Sequence, residues 1–390
     1  MGQIIKFPEN FLWGSATSAY QVEGGIENND WTEIYPAGRA CDQYHLYEKD
    51  CELIQELNQN SHRFSLEWSR VEPEEGRFDE KEINHYRDVL QVLKLRGIET
   101  MVTLHHFTLP IWLAEKGGFA NKKSIFYFSR FAEKVFVEYK DLVDFWITIN
   151  EPLIYAFWAF PLLKKTSIKR LLLIASSFKV IHNQIASHKK IYEIFHRNSN
   201  NAAKVGIAKN NTYFEPFNNK SLLDKIGVEA CRFFWNRYFL NRIKNHLDFI
   251  GLNYYFHRKV RFPFSTENEN KAVSDIGWEI FPEGIYHTLT ELQRYQLPIY
   301  VTENGLADAE DRLRKDFTRD HLFWIHRAIG EGVDVRGYFY WSFIDNFEWE
   351  KGFGPRFGLI AVDYGNMDRK IRPSGYDYAE ICKDNGFIFD

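Results

Sequence analysis

The chain has 390 residues, long enough to bury a large core without disulfide or metal staples. Apolar residues make up 45% and charged residues 26%, which excludes disorder, collagen and coiled coil as the main architecture. Lys and Arg number 49 against 53 Asp and Glu, a net charge of −4, so the charge calls for no nucleic-acid or anionic-membrane partner.

At roughly 150 residues per domain the length would allow two or three domains, but a single α/β barrel routinely exceeds that rule. Aromatic residues reach 17%; they serve as core filling or as flat platforms for flat ligands. Cys41, Cys51, Cys231 and Cys382 form neither a C-x-x-C pair nor a zinc-type cluster with histidine. They read as buried thiols of a reducing compartment. MGQIIKFPENF has no long apolar run and no small-residue cleavage site, so a cytoplasmic protein without a secretory signal is expected.

In chain order, the strand-like runs are FLWGSAT (Phe11–Thr17) and HRFSLEW (His62–Trp68), followed by a helix over Glu82–Arg96 carrying Ile83, Tyr86, Leu90 and Leu93 at helical spacing. ETMVTLHH (Glu99–His106) precedes a helix over Ser124–Lys140. DFWITIN (Asp144–Asn150) precedes a longer one over Ile168–Phe195. The most apolar part of that helix, Leu171–Phe178, is too short to span a bilayer, and the nearby Lys164, Lys165, Lys169 and Arg170 read as a solvated helix start. KVGIAKN (Lys204–Asn210) and DFIGLNYY (Asp248–Tyr255) follow. Next come a helix over Pro282–Tyr295 with Ile285, Leu289 and Leu292, then PIYVTEN (Pro298–Asn304) and VRGYFYWSF (Val335–Phe343).

The eight runs are apolar on both faces, as buried parallel strands are. Alternating with helices, they predict an α/β fold, a single (β/α)8 TIM barrel occupying residues 1–390 as one domain. The competing doubly wound sheet would carry a glycine-rich phosphate loop after its first strand, and GSATSAYQVEGG is not one.

In such barrels the reactive residues stand at the C-terminal ends of the strands. Those ends hold Gln21 and Glu23, Arg63, His105 and His106, Asn150 and Glu151, Asn210, Asn253 and Tyr255, Glu303 and Asn304, and Trp341. Glu151 and Glu303 directly terminate apolar strands four and seven. Two buried carboxylates facing one cavity suggest acid/base or nucleophilic work. On pattern alone, a structural glutamate paired with Arg63 remains the other reading.

These strand ends carry a resemblance that runs almost the whole chain. FLWGSATSAYQVEGG, HRFSLEWSRVEP, TLHHFTLPIWL, FWITINEP, FIGLNYY, YVTENG and YFYWSFIDNFEWEKGFGPRFG, in that order, resemble the family 1 glycoside hydrolases, retaining β-glycosidases. The resemblance implies a retaining exo-β-glycosidase acting on terminal non-reducing β-D-glycosyl residues by double displacement. It would be a β-glucosidase first, with β-galactosidase or β-fucosidase activity beside it. Glu303 would be the nucleophile, Glu151 the general acid/base, and Asn150 the partner of the sugar 2-hydroxyl. Arg63 and Tyr255 would keep Glu303 ionised and oriented. Gln21, His106, Glu348 and Trp349 would bind sugar hydroxyls, and Trp341 would form the floor beneath the ring. The expected partner is a small β-glycoside or oligosaccharide, with no metal, organic cofactor, nucleic acid or membrane.

There are departures from the family pattern. Phe107 and Thr108 stand where the family commonly has Trp and Asp, and four catalytic-face stretches are short: Glu23 to Tyr44, Glu151 to His182, and those after Tyr255 and Gly305. A more open mouth over an intact sugar site is expected. The alternatives are a 6-phospho-β-glycosidase, against which Glu348 and the RFG at 356–358 argue, and a non-catalytic sugar-binding relative. Preferred sugar, aglycone, linkage and oligomeric state stay open at this point.

Overall fold

A computed structural model describes residues 2–163, 170–200 and 202–389, with the backbone alone at 170–172. The expected basic helix start at Lys164, Lys165 and Lys169 lies outside the described residues, as does the Arg170 side chain.

Eight parallel strands form the centre: β1 (Leu12–Ala16), β2 (Ser61–Ser65), β3 (Glu99–His105), β4 (Phe145–Asn150), β5 (Val205–Pro216), β6 (Phe249–Arg261), β7 (Ile299–Asn304) and β8 (Val335–Trp341). Each pairs in parallel with its sequence neighbours, and β8 pairs back to β1, closing the barrel. Every strand is followed by a helix: α1 (Gln43–Glu56), α2 (Glu80–Leu95), α3 (Ser124–Tyr139), α4 (Arg170–Asn198), α5 (Leu222–Cys231), α6 (Glu283–Leu292), α7 (Arg314–Gly330) and α8 (Pro373–Asp384).

The two faces of each strand fill different cores. Leu12, Met101, Phe145, Ile147, Phe249, Tyr300 and Phe339 pack inside the barrel. Residues of the opposite parity, such as Ile207, Ile250, Leu252 and Val301, pack between barrel and helices. That double burial is why the strands read as unbroken apolar runs. In α2 the buried stripe contains Ile83, Tyr86, Leu90 and Leu93, the four expected from spacing.

Three features lie beyond the sequence expectations. β5 and β6 run on together past the barrel wall, paired from Gly206–Phe249 to Pro216–Val260. Trp68 leaves its expected strand to start a single helical turn, Trp68–Val71. The strand Gln3–Lys6 pairs antiparallel with Gly386–Phe389, tying the two ends of the chain together. Among the described residues, no helix is long and apolar enough to cross a membrane.

Candidate active site

A cavity of about 390 Å³ opens at the C-terminal ends of the strands, inside the usual range for ligand sites. Gln21, His106, Asn150, Glu151, Tyr255, Glu303, Trp341, Glu348 and Trp349 all line it. Of the ten expected site residues only Arg63 lies behind the wall, 1% exposed.

Arg63 is the hub of the site. Its Nη1 donates to Glu303 Oε1 at 2.7 Å and to the Thr302 carbonyl at 2.9 Å. Its Nη2 donates to Asn150 Oδ1 at 2.7 Å, and its Nε to Thr103 Oγ1 at 3.2 Å. Tyr255 OH donates to the other oxygen of Glu303 at 2.9 Å. Both carboxylate oxygens are therefore gripped, one by a charge-assisted bond. The local backbone explains the seat of Glu303: a Cβ on Gly305 would lie 1.5 Å from the Trp341 carbonyl, so only glycine lets β7 end this close to β8.

Glu151 is presented differently. It follows β4 at a left-handed φ of 45°, its N–H donates to the Ala208 carbonyl at 2.8 Å, and Pro152 opens the turn after it. A non-glycine residue in that conformation costs about 1–3 kcal/mol and persists only where its surroundings hold it. Its Oε1 accepts from Asn253 Nδ2 at 2.9 Å and Asn210 Nδ2 at 3.0 Å. Asn253 also donates to Asn150 Oδ1 at 3.1 Å and accepts from Thr302 Oγ1 at 2.7 Å, so one polar network joins the two carboxyls.

Burial, the ionised Glu303 and the opposing pull of the amides and Lys209 leave the pKa of Glu151 at about 7. Glu303 departs from expectation. Arg63 does pull its pKa down, yet burial outweighs that pull and the group ends above the usual carboxylate range. Glu348 is pushed up to about 8, first by burial and then by Glu350, Glu303 and Glu151, so its carboxyl holds a proton through neutral pH. His106 is driven well down by burial and by Arg63, and sits neutral.

The aromatic wall is layered. The His106 ring lies nearly parallel to Trp341 (5.8 Å, 19°) and to Trp349 (6.2 Å, 15°). Trp349 in turn packs on Trp31 at 4.5 Å and Phe107 at 5.1 Å. Gln21 is anchored from behind by donating to the Phe347 carbonyl, Asn346 Oδ1 and Glu348 Oε2.

Other strand-end residues go elsewhere. Glu23 faces the helix layer, bound to Arg70 at 2.8 Å and Tyr86 at 2.8 Å. His105 is boxed by Phe119 and Tyr155, and Asn304 binds Tyr254 and Tyr338. Strand-end position had marked Asn210 and Asn253 without giving them a role; they are register partners on β5 and β6, and both donate to Glu151. Ile154, Trp158, Phe256 and Trp278 also line the cavity and were missed. Phe256 comes from the unforeseen strand extension, Ile154 and Trp158 from the helical turns that follow β4, and Trp278 from a loop.

The raised pKa of Glu348 has a consequence for stability. Its folded value of about 8 lies above the value near 4.5 of an unperturbed glutamate, so folding is penalised progressively as pH rises from 4.5 to 8 and constantly beyond. Glu348→Gln is expected to unfold at higher temperature than the parent at pH 8, by on the order of 2 kcal/mol. The gap should close near pH 4.5. Thermal melts at both pH values test this, and equal melting at pH 8 contradicts it.

Comparison with known proteins agrees with this geometry. The sequence model for glycosyl hydrolase family 1 matches residues 3–244 and 240–387. A 1,4-beta-D-glucan glucohydrolase from Thermotoga neapolitana is 33% identical, over 98% of this chain and 99% of the relative. A beta-galactosidase from Pyrococcus woesei is 29% identical over 97% and 98% of the two chains. Among solved structures, a beta-glycosidase from Pyrococcus horikoshii superposes with a TM-score of 0.91 at 38% identity, covering 100% of this chain and 97% of that one. With the barrel, the two gripped carboxyls and this end-to-end similarity together, the chain belongs to glycosyl hydrolase family 1 and is a retaining β-glycosidase.

Proposed function

We propose that the chain removes terminal non-reducing β-D-glucosyl residues, and accepts β-galactosyl and β-fucosyl ones, with Glu303 as nucleophile and Glu151 as acid/base. One observation carries the assignment: two buried carboxyls share a cavity in opposite surroundings. Glu303 has an arginine and a phenol donating to it, while the hydrogen bonds to Glu151 come from neutral amides and its pKa is near 7. Glu303 attacks the anomeric carbon while Glu151 gives its proton to the leaving oxygen, forming a glycosyl-enzyme. Esterified Glu303 no longer carries charge, the pKa of Glu151 falls, and Glu151 takes a proton from the water that releases the sugar.

Asn150 suits the 2-hydroxyl as a donor, because Arg63 and Asn253 already occupy its Oδ1. Trp341 and Trp349 offer apolar faces to a pyranose ring. Gln21, His106 and Glu348 complete the hydroxyl contacts. The names of the Thermotoga and Pyrococcus woesei relatives support gluco and galacto donors. We read residues 1–390 as one catalytic unit, its two ends paired, serving carbohydrate breakdown. Four free thiols support a cytoplasmic setting.

Lys351 lines the same cavity, which favours a 6-phosphoglycoside as the second reading. Against it, the Glu350 carboxylate lines the cavity beside Lys351; Glu348, expected to repel a phosphate, holds its proton at neutral pH and adds no such repulsion. Turnover of chromogenic gluco, galacto, fuco and 6-phosphogluco donors tests the choice. The plain glucoside is expected to be fastest, and a faster 6-phosphoglucoside reverses it. Glu348→Ser should lose roughly 2–4 kcal/mol of transition-state stabilisation on glucosides, and less on fucosides, which lack the 6-hydroxyl.

The alignment to the Thermotoga relative spans 447 positions against 390 residues here, so that relative carries insertions this chain lacks. We read the result as an open mouth with few contacts beyond the first sugar. kcat/KM should stay nearly level from cellobiose to longer cello-oligosaccharides. A stepwise gain with each added sugar means formed outer subsites and defeats the open mouth.

A further inference from the structure

β5 carries a charge where the fold calls for an apolar side chain. Period two along the strand turns Ala208 into the barrel and Ile207 and Lys209 out towards the helix layer. The register partner of Lys209 on β6 is Leu252. Lys209 is 1% exposed. Its Nζ donates to the Asn210 carbonyl at 2.5 Å and stands 5.6 Å from the Trp235 ring centroid.

A buried ammonium is costly unless a charge answers it. Two carboxyls act on Lys209, Glu151 and Glu291 of α6. Glu291 is already held by Arg237 at 3.0 Å and Asn236 at 2.8 Å. Glu151 has no other cation among the principal influences on it: Glu303 from β7 pushes its pKa up, and Lys209 pulls it down beside the Asn253 and Asn210 amides. Tyr255 of β6 and Glu348 from the loop after β8 also feel the charge of Glu151. The residue that Lys209 grips by its carbonyl is the one whose amide holds Glu151 Oε1.

We propose that Lys209 is a positioning residue for Glu151: it anchors the Asn210 peptide behind the strand, and its charge favours the ionised Glu151 that the second half of the reaction needs. This rests on Glu151 being the acid/base. Burial takes Lys209 itself down to about 7, so the two groups exchange charge in the same pH range and the alkaline limb of the activity profile belongs to the pair.

The test is the pH profile of kcat/KM on an alkyl or poor-leaving-group aryl β-glucoside for the parent, Lys209→Met, Lys209→Gln, Lys209→Arg and Glu151→Gln. Both neutral variants should move the alkaline limb up by about half a pH unit or more. They should also slow kcat on a donor with a good leaving group, where water attack limits. Lys209→Arg, which keeps its charge through this range, should leave the limb at the parental position or below it. A purely structural lysine would alter melting temperature and leave the limb in place. If the limb vanishes in Glu151→Gln but stays put in both neutral variants, or moves equally in the arginine variant, the role of Lys209 is overturned while that of Glu151 stands. If the limb survives in Glu151→Gln, Glu151 is not the acid/base and the proposal falls with it.

Discussion

Glu303→Ala is expected to lose roughly 10⁴-fold or more in kcat on every donor, since it removes the carboxylate that forms the glycosyl-enzyme. The variant also leaves the Arg63 guanidinium buried without its carboxylate, at a cost of about 3–5 kcal/mol in stability. Arg63 and the Tyr255 hydroxyl then face an anion-sized hole, so azide should enter it, restore part of the rate on an activated aryl glucoside and leave an α-glucosyl azide. That product would carry the stereochemistry of a single displacement from the face Glu303 occupied. Identification of the azide adduct by NMR, beside the rate, tests the role. Residual turnover within tenfold of the parent would remove Glu303 from the chemistry.

Glu151→Ala should divide its substrates by leaving group. Alkyl glucosides need the proton that Glu151 supplies, and their kcat/KM should fall about 10²–10⁴-fold. A dinitrophenyl glucoside leaves without help, so its kcat/KM should be nearly spared while kcat and KM fall together as the glycosyl-enzyme accumulates. Azide should raise that kcat and yield a β-glucosyl azide, the opposite anomer to the Glu303→Ala product. The parent profile on alkyl glucosides should decline as pH rises through about 7, because the protonated acid is lost there; the decline should be absent in the variant. Equal losses on both donor classes would contradict the assignment.

Both glutamates were legible as candidates because each ends an apolar strand; which would attack and which would give the proton came from the family resemblance. The barrel was legible for a related reason. Strands such as Phe145–Asn150 are buried on both faces, and α2 repeats its apolar residues at helical spacing, so both kinds of element leave a local trace. α1 buries only Asp50, Cys51 and Ile54, and the extensions of β5 and β6 lie half in solvent, so neither was predicted.

The sequence by itself determined which residue types stand at the strand ends, because strand, turn and helix signals act over a few neighbours. Only the tertiary structure decided what those residues meet. It sent Glu23 to Arg70 and Tyr86 in the helix layer, though it too stands near a strand end. It made Arg63 both the salt-bridge partner of Glu303 and a donor to Asn150. It raised Glu303 despite Arg63, brought Glu348 to about 8, and set Lys209 behind Glu151. Desolvation and charge–charge energies depend on distances between atoms hundreds of residues apart in the chain, and those distances exist only once the barrel has closed.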